Sequence, residues 1–195
     1  MTSGNDVRKI GEFSFHVAAM ALITIFVLTG CDGSKGGQVT KDEQFTQLMQ
    51  RPDLDQTINQ YERVRQEIAS QLSQQLSLPP WTRTSGRAGE AGCGREFPDV
   101  GLDATISSPE NMISAAPVPD EKWDLALGIA GSITAKYGFA AVSRVADAPG
   151  NHQAEFHDTY GGRLALGTQV NTILSVRTGC HLTAAAHQRG NPASS

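Results

Sequence analysis

The sequence predicts an α+β fold, an antiparallel sheet of about four strands with two helices packed on one face. Three observations predict it. Two segments, residues 53–78 and 119–137, carry apolar side chains at helical spacing. The stretch from 141 to 183 reads as short strands punctuated by turn residues. The apolar positions of its last three strands are all even-numbered, so odd-length loops bring them onto one face for the helices to cover.

Residues 1–30 read as an export leader. Arg8 and Lys9 form a positive start, diluted by Asp6 and Glu12, and an apolar run from Val17 to Leu28 is broken only by Thr24. Such a run rises about 18 Å as a helix, short of the roughly 30 Å hydrocarbon core of a bilayer. A cleaved leader fits better than a permanent span. The run ends in Leu28-Thr29-Gly30-Cys31, which is similar to the lipobox of bacterial lipoproteins. There the thiol takes a diacylglyceryl unit as a thioether, and the small residues before it let extended backbone enter the signal peptidase. Cys31 is then the lipid-carrying first residue of the mature chain, and two acyl chains hold it stably at a membrane. Residues 31–41 follow as a lipidated flexible tether, rich in glycine. A single α+β domain over 42–186 and a disordered tail over 187–195 complete the expected organisation.

The 195-residue chain has a formal net charge of −4, and the leader's two bases and two acids cancel, so cleavage leaves that charge unchanged. A mildly acidic surface has no electrostatic footprint for nucleic acid and little for anionic lipid headgroups, so binding either by charge alone is disfavoured and no nucleic-acid partner is expected. A domain of roughly 140 residues buries about two-thirds of its unfolded surface, enough for one core.

Within the domain, Leu54, Ile58, Tyr61, Ile68, Leu72 and Leu76 make one apolar stripe, with Asp53 as N-cap and Pro79-Pro80 as the stop. Arg63 and Glu67 stand at pairing distance along it. Residues 82–118 lack periodicity; they either hide short strands, for instance around 100–106, or form a large loop pinned by Cys93. In the second helix Trp123, Leu127, Ala130, Ile133 and Tyr137 form the buried face, while Gly128 and Gly131 suggest close packing against another backbone. Gly138 suits the left-handed position that ends it. Strands are expected at 141–146, 152–158, 163–170 and 172–183. Gly162 closes a three-residue turn, and Val170, Cys180 and Leu182 join the inward set.

Cys93 and Cys180 are the thiols left after lipidation. An even pair in an oxidising compartment reads as a disulfide tying the 82–118 segment to the last strand. A reactive thiol would need an activating base, and His181, though adjacent, points to the opposite face. His152, His157, His181 and His187 are scattered in the expected register, so no metal site is assigned. The sequence lacks G-x-S-x-G, H-E-x-x-H, C-x-x-C and the phosphate-binding G-x-x-x-x-G-K-[ST]. No catalytic residue and no cofactor is assigned.

The lipobox, Pro119-Asp120-Glu121-Lys122-Trp123, Tyr137-Gly138-Phe139, Gly150-Asn151-His152, Phe156-His157-Asp158, Gly161-Gly162-Arg163-Leu164 and Arg177-Thr178-Gly179-Cys180 together resemble the LppA-type lipoproteins of mycobacteria. The resemblance covers about residues 50–183. It implies an α+β envelope domain on a lipid anchor and brings no catalytic residues. The function expected is that of a non-catalytic interaction or structural module, held to the cell membrane through Cys31 on the extracytoplasmic side and meeting an envelope protein partner. The alternative is a small-molecule or lipid-binding protein with a cleft between the second helix and the sheet. The 82–118 segment is the expected contact surface.

Overall fold

The computed structural model describes residues 39–84 and 88–193. The leader, Cys31 and the tether up to residue 38 lie outside the described residues. The first helix, α1 (Lys41–Met49), opens on a capping box: the Thr40 hydroxyl accepts the Glu43 N–H at 3.3 Å, and the Glu43 carboxylate accepts the Thr40 N–H at 2.8 Å. Residues 40 and 41, expected in the tether, thus belong to the folded domain.

Asp53 caps α2 (Leu54–Leu76), accepting the Gln56 N–H at 2.8 Å. Leu54, Tyr61, Ile68 and Leu72 are buried as the stripe requires. Arg65 is buried with them at 0% exposure, its guanidinium donating to Glu62 and to the Glu110 carbonyl. Glu67 does not serve Arg63; it accepts from Lys136 and from the Tyr137 hydroxyl, each at 3.0 Å.

The 82–118 segment is strands, not a loop. It holds β2 (Gly89–Gly92), β3 (Ala104–Ser108) and β4 (Met112–Ser114), and β1 (Trp81–Arg83) leads into it. The second helix, α3 (Trp123–Lys136), follows a short 3₁₀ turn and ends at Gly138, which takes a φ of 87°. Then come β5 (Ala141–Ala148), β6 (Asn151–His157), β7 (Arg163–Thr168), β8 (Thr172–Arg177), β9 (His181–Leu182) and α4 (Ala184–Arg189).

The described residues therefore form two sheets, not one of about four strands. The larger is antiparallel throughout, in the order β1-β4-β8-β7-β6-β5; the smaller runs β2-β3-β9. The strand expected over 172–183 breaks at Thr178-Gly179-Cys180 and changes sheets, its Thr178 N–H donating to the Ser107 carbonyl at 2.9 Å. The turn between β6 and β7 is also longer than expected. It spans residues 158–162, its left-handed residue is Gly161 rather than Gly162, and the Asp158 carboxylate accepts the N–H groups of Tyr160 and Gly162.

Two cores result. In the main one Tyr61, Ile68 and Leu72 of α2 and Trp123, Ala130 and Ile133 of α3 meet Phe156, Leu164, Leu166, Leu174 and Val176 of the large sheet. The even-numbered strand residues face inward, except that Val170 lies in a turn at 75% exposure. Cys180 and Leu182 belong to the second core, with Phe45, Leu48, Phe97, Val100 and Ala104. There Cys93 and Cys180 are joined as a disulfide, their Cα atoms 5.7 Å apart. Residues 187–193, expected to be a disordered tail, are held against the domain: Arg189 pairs with Asp103 at 2.7 Å, and the Ala193 N–H donates to Asp103 at 2.8 Å.

Candidate functional site

The helices cover one face of the large sheet, and the other carries its chemistry. Alternation along β6, β7 and β8 turns Glu155, His157, Arg163, Ser175 and Arg177 away from the core. The register sets His157 opposite Arg163 and Arg163 opposite Arg177, one row across three strands. The next row is Ser143, Glu155, Ala165 and Ser175.

Arg163 donates to Glu155 Oε1 at 2.7 Å. The other carboxylate oxygen of Glu155 lies 3.6 Å from His157 Nε2, and the Ser143 hydroxyl lies 3.3 Å from the same nitrogen. Arg177 is exposed, and among the ion pairs of the described residues none includes it. These side chains border a hollow of about 330 Å3, closed on its far side by Ile106, Glu96 and the Thr178–Cys180 crossing. Arg51 secures that wall: it donates to the Cys180 carbonyl at 2.9 Å and to Glu96 at 3.2 Å, with its guanidinium 5.0 Å from the centre of the Phe97 ring.

A serine, a histidine and a carboxylate side by side invite comparison with a nucleophilic triad, and the geometry does not match one. A triad needs the acid on the ring nitrogen opposite the serine, so that it orients the base. Here Ser143 and Glu155 address the same nitrogen, and Arg163 already compensates the carboxylate. What the arrangement offers is two neighbouring guanidiniums, whose planar forks suit oxyanions.

The other expected site residues fall elsewhere. Cys31 lies outside the described residues. Cys93 and Cys180, being bonded, present no thiol. His152 stacks on Trp123 and lies between two carboxylates, Asp147 at 2.8 Å and Asp120 at 3.0 Å. His181 is fully buried, its Nδ1 2.8 Å from the Pro52 carbonyl; burial pushes its pKa below the ordinary imidazole value. Among the described residues no three His, Cys, Asp or Glu converge as metal ligands. The cleft anticipated between the second helix and the sheet is filled: Trp123 and Phe156 are buried, and the Phe156 ring would lie 3.7 Å from a Cβ at Gly131.

The arginine pair escaped the sequence reading because both turns were given the wrong length. The expected three-residue turn over 160–162 sets His157 opposite Ala165, and the expected strand 163–170 takes Val170 out of the turn. A turn centred on Val170 pairs residues whose numbers sum to 340, and that register brings Arg163 and Arg177 together.

Residues 32–184 match the model of a family described as LppA, a lipoprotein confined to pathogenic Mycobacterium. The chain belongs to the LppA family. The fold is similar to the crystal structure of LppA from Mycobacterium tuberculosis, with a TM-score of 0.60 and 16% identity over 73% of this chain and 86% of that one. A DUF4853 family protein from Actinomyces odontolyticus ATCC 17982 matches at a TM-score of 0.49 and 12% identity, over 69% of this chain and 71% of that one. No curated protein matches the sequence. The LppA description names a lipoprotein and no reaction.

Proposed function

We propose that this LppA-family chain is an envelope lipoprotein held to the cell membrane by lipid on Cys31. It faces the extracytoplasmic side and works by binding, through the open face of its large sheet. The observation that carries the binding reading is the row His157–Arg163–Arg177 on a face without helices, beside a serine–histidine pair whose acid approaches the wrong ring nitrogen for relay. The lipobox and the family description support the anchor.

Two measurements test this. Metabolic labelling with a fatty-acid probe should mark the wild-type chain and not Cys31→Ser; equal labelling would remove the anchor. Native mass spectrometry of full chain extracted from its own membrane should find a retained envelope component. Ser175→Trp, which plants a bulky ring in the middle of the open face, should lose that component with the melting temperature unchanged. Undiminished retention by a folded Ser175→Trp chain would remove the open face from the reading, as turnover lost on replacing Ser143 or His157 would remove its non-catalytic part.

A further inference from the structure

Arg163 and Arg177 stand directly opposite each other on neighbouring strands, on the same face. Side chains so placed have Cβ atoms about 5 Å apart, and like charges there repel. The fold supplies one counter-charge: Glu155 takes Arg163 at 2.7 Å. The second acid of the hollow, Glu96, is engaged by Arg51 at 3.2 Å. With Arg51 offsetting Glu96 and Glu155 offsetting one arginine, one positive charge is left over at the hollow. A second hollow of about 330 Å3, largely apolar, is lined by Gly92, Cys93, Arg95, Glu96 and Ile106. The two hollows share Glu96 and Ile106 as walls.

We propose that the pair is an oxyanion site, in which Arg163 and Arg177 together hold the single negative charge of an acidic amphiphile whose apolar part lies along Cys93 and Ile106. Guanidinium forks meet phosphate and carboxylate oxygens bidentately, and two adjacent forks can share one such group. A phosphodiester headgroup and a fatty carboxylate offer the same charge and oxygen geometry. The inference rests on the proposal that the open face binds, and it names the chemistry bound there.

The test titrates the full chain, in a non-ionic detergent, with four probes at concentrations below micelle formation. They are dihexanoyl phosphatidylglycerol, dihexanoyl phosphatidylcholine, hexanoate and inorganic phosphate. Affinity is read by calorimetry, and the arginine Nε–H resonances are followed by NMR. One or both anionic amphiphiles should shift the Arg163 and Arg177 resonances and bind at least tenfold tighter than phosphatidylcholine and inorganic phosphate. Preference for the phosphatidylglycerol assigns a phosphodiester source, and preference for hexanoate a carboxylate one. Arg177→Gln should lose at least tenfold in affinity while its ligand-free melting temperature stays equal or rises, because a repulsion has been removed. Several results would overturn the proposal: no binding, equal binding of phosphatidylcholine, inorganic phosphate as tight as the amphiphiles, undiminished affinity in Arg177→Gln, or a lower ligand-free melting temperature in that variant. If Ser175→Trp still loses its native component in any of those cases, the open-face reading stands and only the oxyanion chemistry falls.

Discussion

Tyr61, two turns into α2, donates its phenolic hydrogen to Asp158 at the head of the β6–β7 turn. The other oxygen of that carboxylate accepts the N–H groups of Tyr160 at 2.8 Å and Gly162 at 2.7 Å. One acidic side chain thus shapes the turn and fastens it to the helix. Burial, then the Asp158 bond, drives the Tyr61 hydroxyl well above the usual phenol range. Tyr61→Phe keeps the ring and removes the bond. It should cost about 1.5–3 kcal/mol, the range for hydrogen bonds to charged groups, read from the urea midpoint. An unchanged midpoint would show that the turn holds itself.

The glycines of α3 predict a gain. Gly128 was expected to mark close backbone contact, yet a Cβ there meets nothing within 4 Å. Gly128→Ala should therefore stabilise the protein by roughly 0.5–1 kcal/mol through helix propensity alone. Gly179→Ala should do the opposite, because its Cβ would overlap the Tyr160 carbonyl oxygen, which belongs to backbone and cannot swing aside. Thermal melts of the two variants should move in opposite directions.

His152 predicts a pH dependence. Burial opposes its protonation, but hydrogen bonds and charge from Asp120 and Asp147 outweigh that, and its pKa is raised above the ordinary imidazole value. A raised folded pKa gives stability that is fully present below the unfolded pKa, about 6.5, and is lost as pH climbs through the folded value. His181 has the opposite shift, so its effect falls at and below pH 6.5. The melting temperature should therefore decline as pH rises from about 6.5 through the elevated His152 value, and His152→Gln should flatten that decline. A slope identical in the variant would assign it elsewhere.

The disulfide closes a loop across 87 residues of sequence. In the chain-entropy model such a loop is worth about 4–5 kcal/mol. Replacing both cysteines with serine should lower the unfolding free energy by about that amount in urea titration. A loss below about 1 kcal/mol would mean that the second core already restrains the unfolded chain.

Long periodic elements were legible in the sequence. The stripe from Leu54 to Leu72 and the alternation from Ala154 to Val176 are physical imprints of a buried face, and both are found where expected. Short elements carry no such imprint. Three residues of β1 or β4 cannot display a period, and their existence depends on an edge strand already present to pair with. The helix α1 buries only Gln44, Phe45 and Leu48 and shows almost no stripe, but the Thr40–Glu43 capping box was there to be read. Arg65 could not be anticipated inside the core, since its partners are Glu62 and a carbonyl 45 residues away. The candidate site was hidden for a related reason. A turn length wrong by two keeps every residue on its own face but rearranges every cross-strand pair, and the site is made of such pairs.

The second core also decides how the domain carries load. The chain at Thr40 leads directly into α1, which is fixed through Phe45 and Leu48 to the cluster that contains Cys93 and Cys180. Lys41 donates to the Ala193 carbonyl at 2.7 Å, so the two ends of the described residues are fastened together. A pull on the chain ahead of Thr40 would therefore meet the covalently bridged cluster first. The six-stranded sheet comes second, although the far wall of its hollow, Ile106 and Cys180, belongs to that cluster.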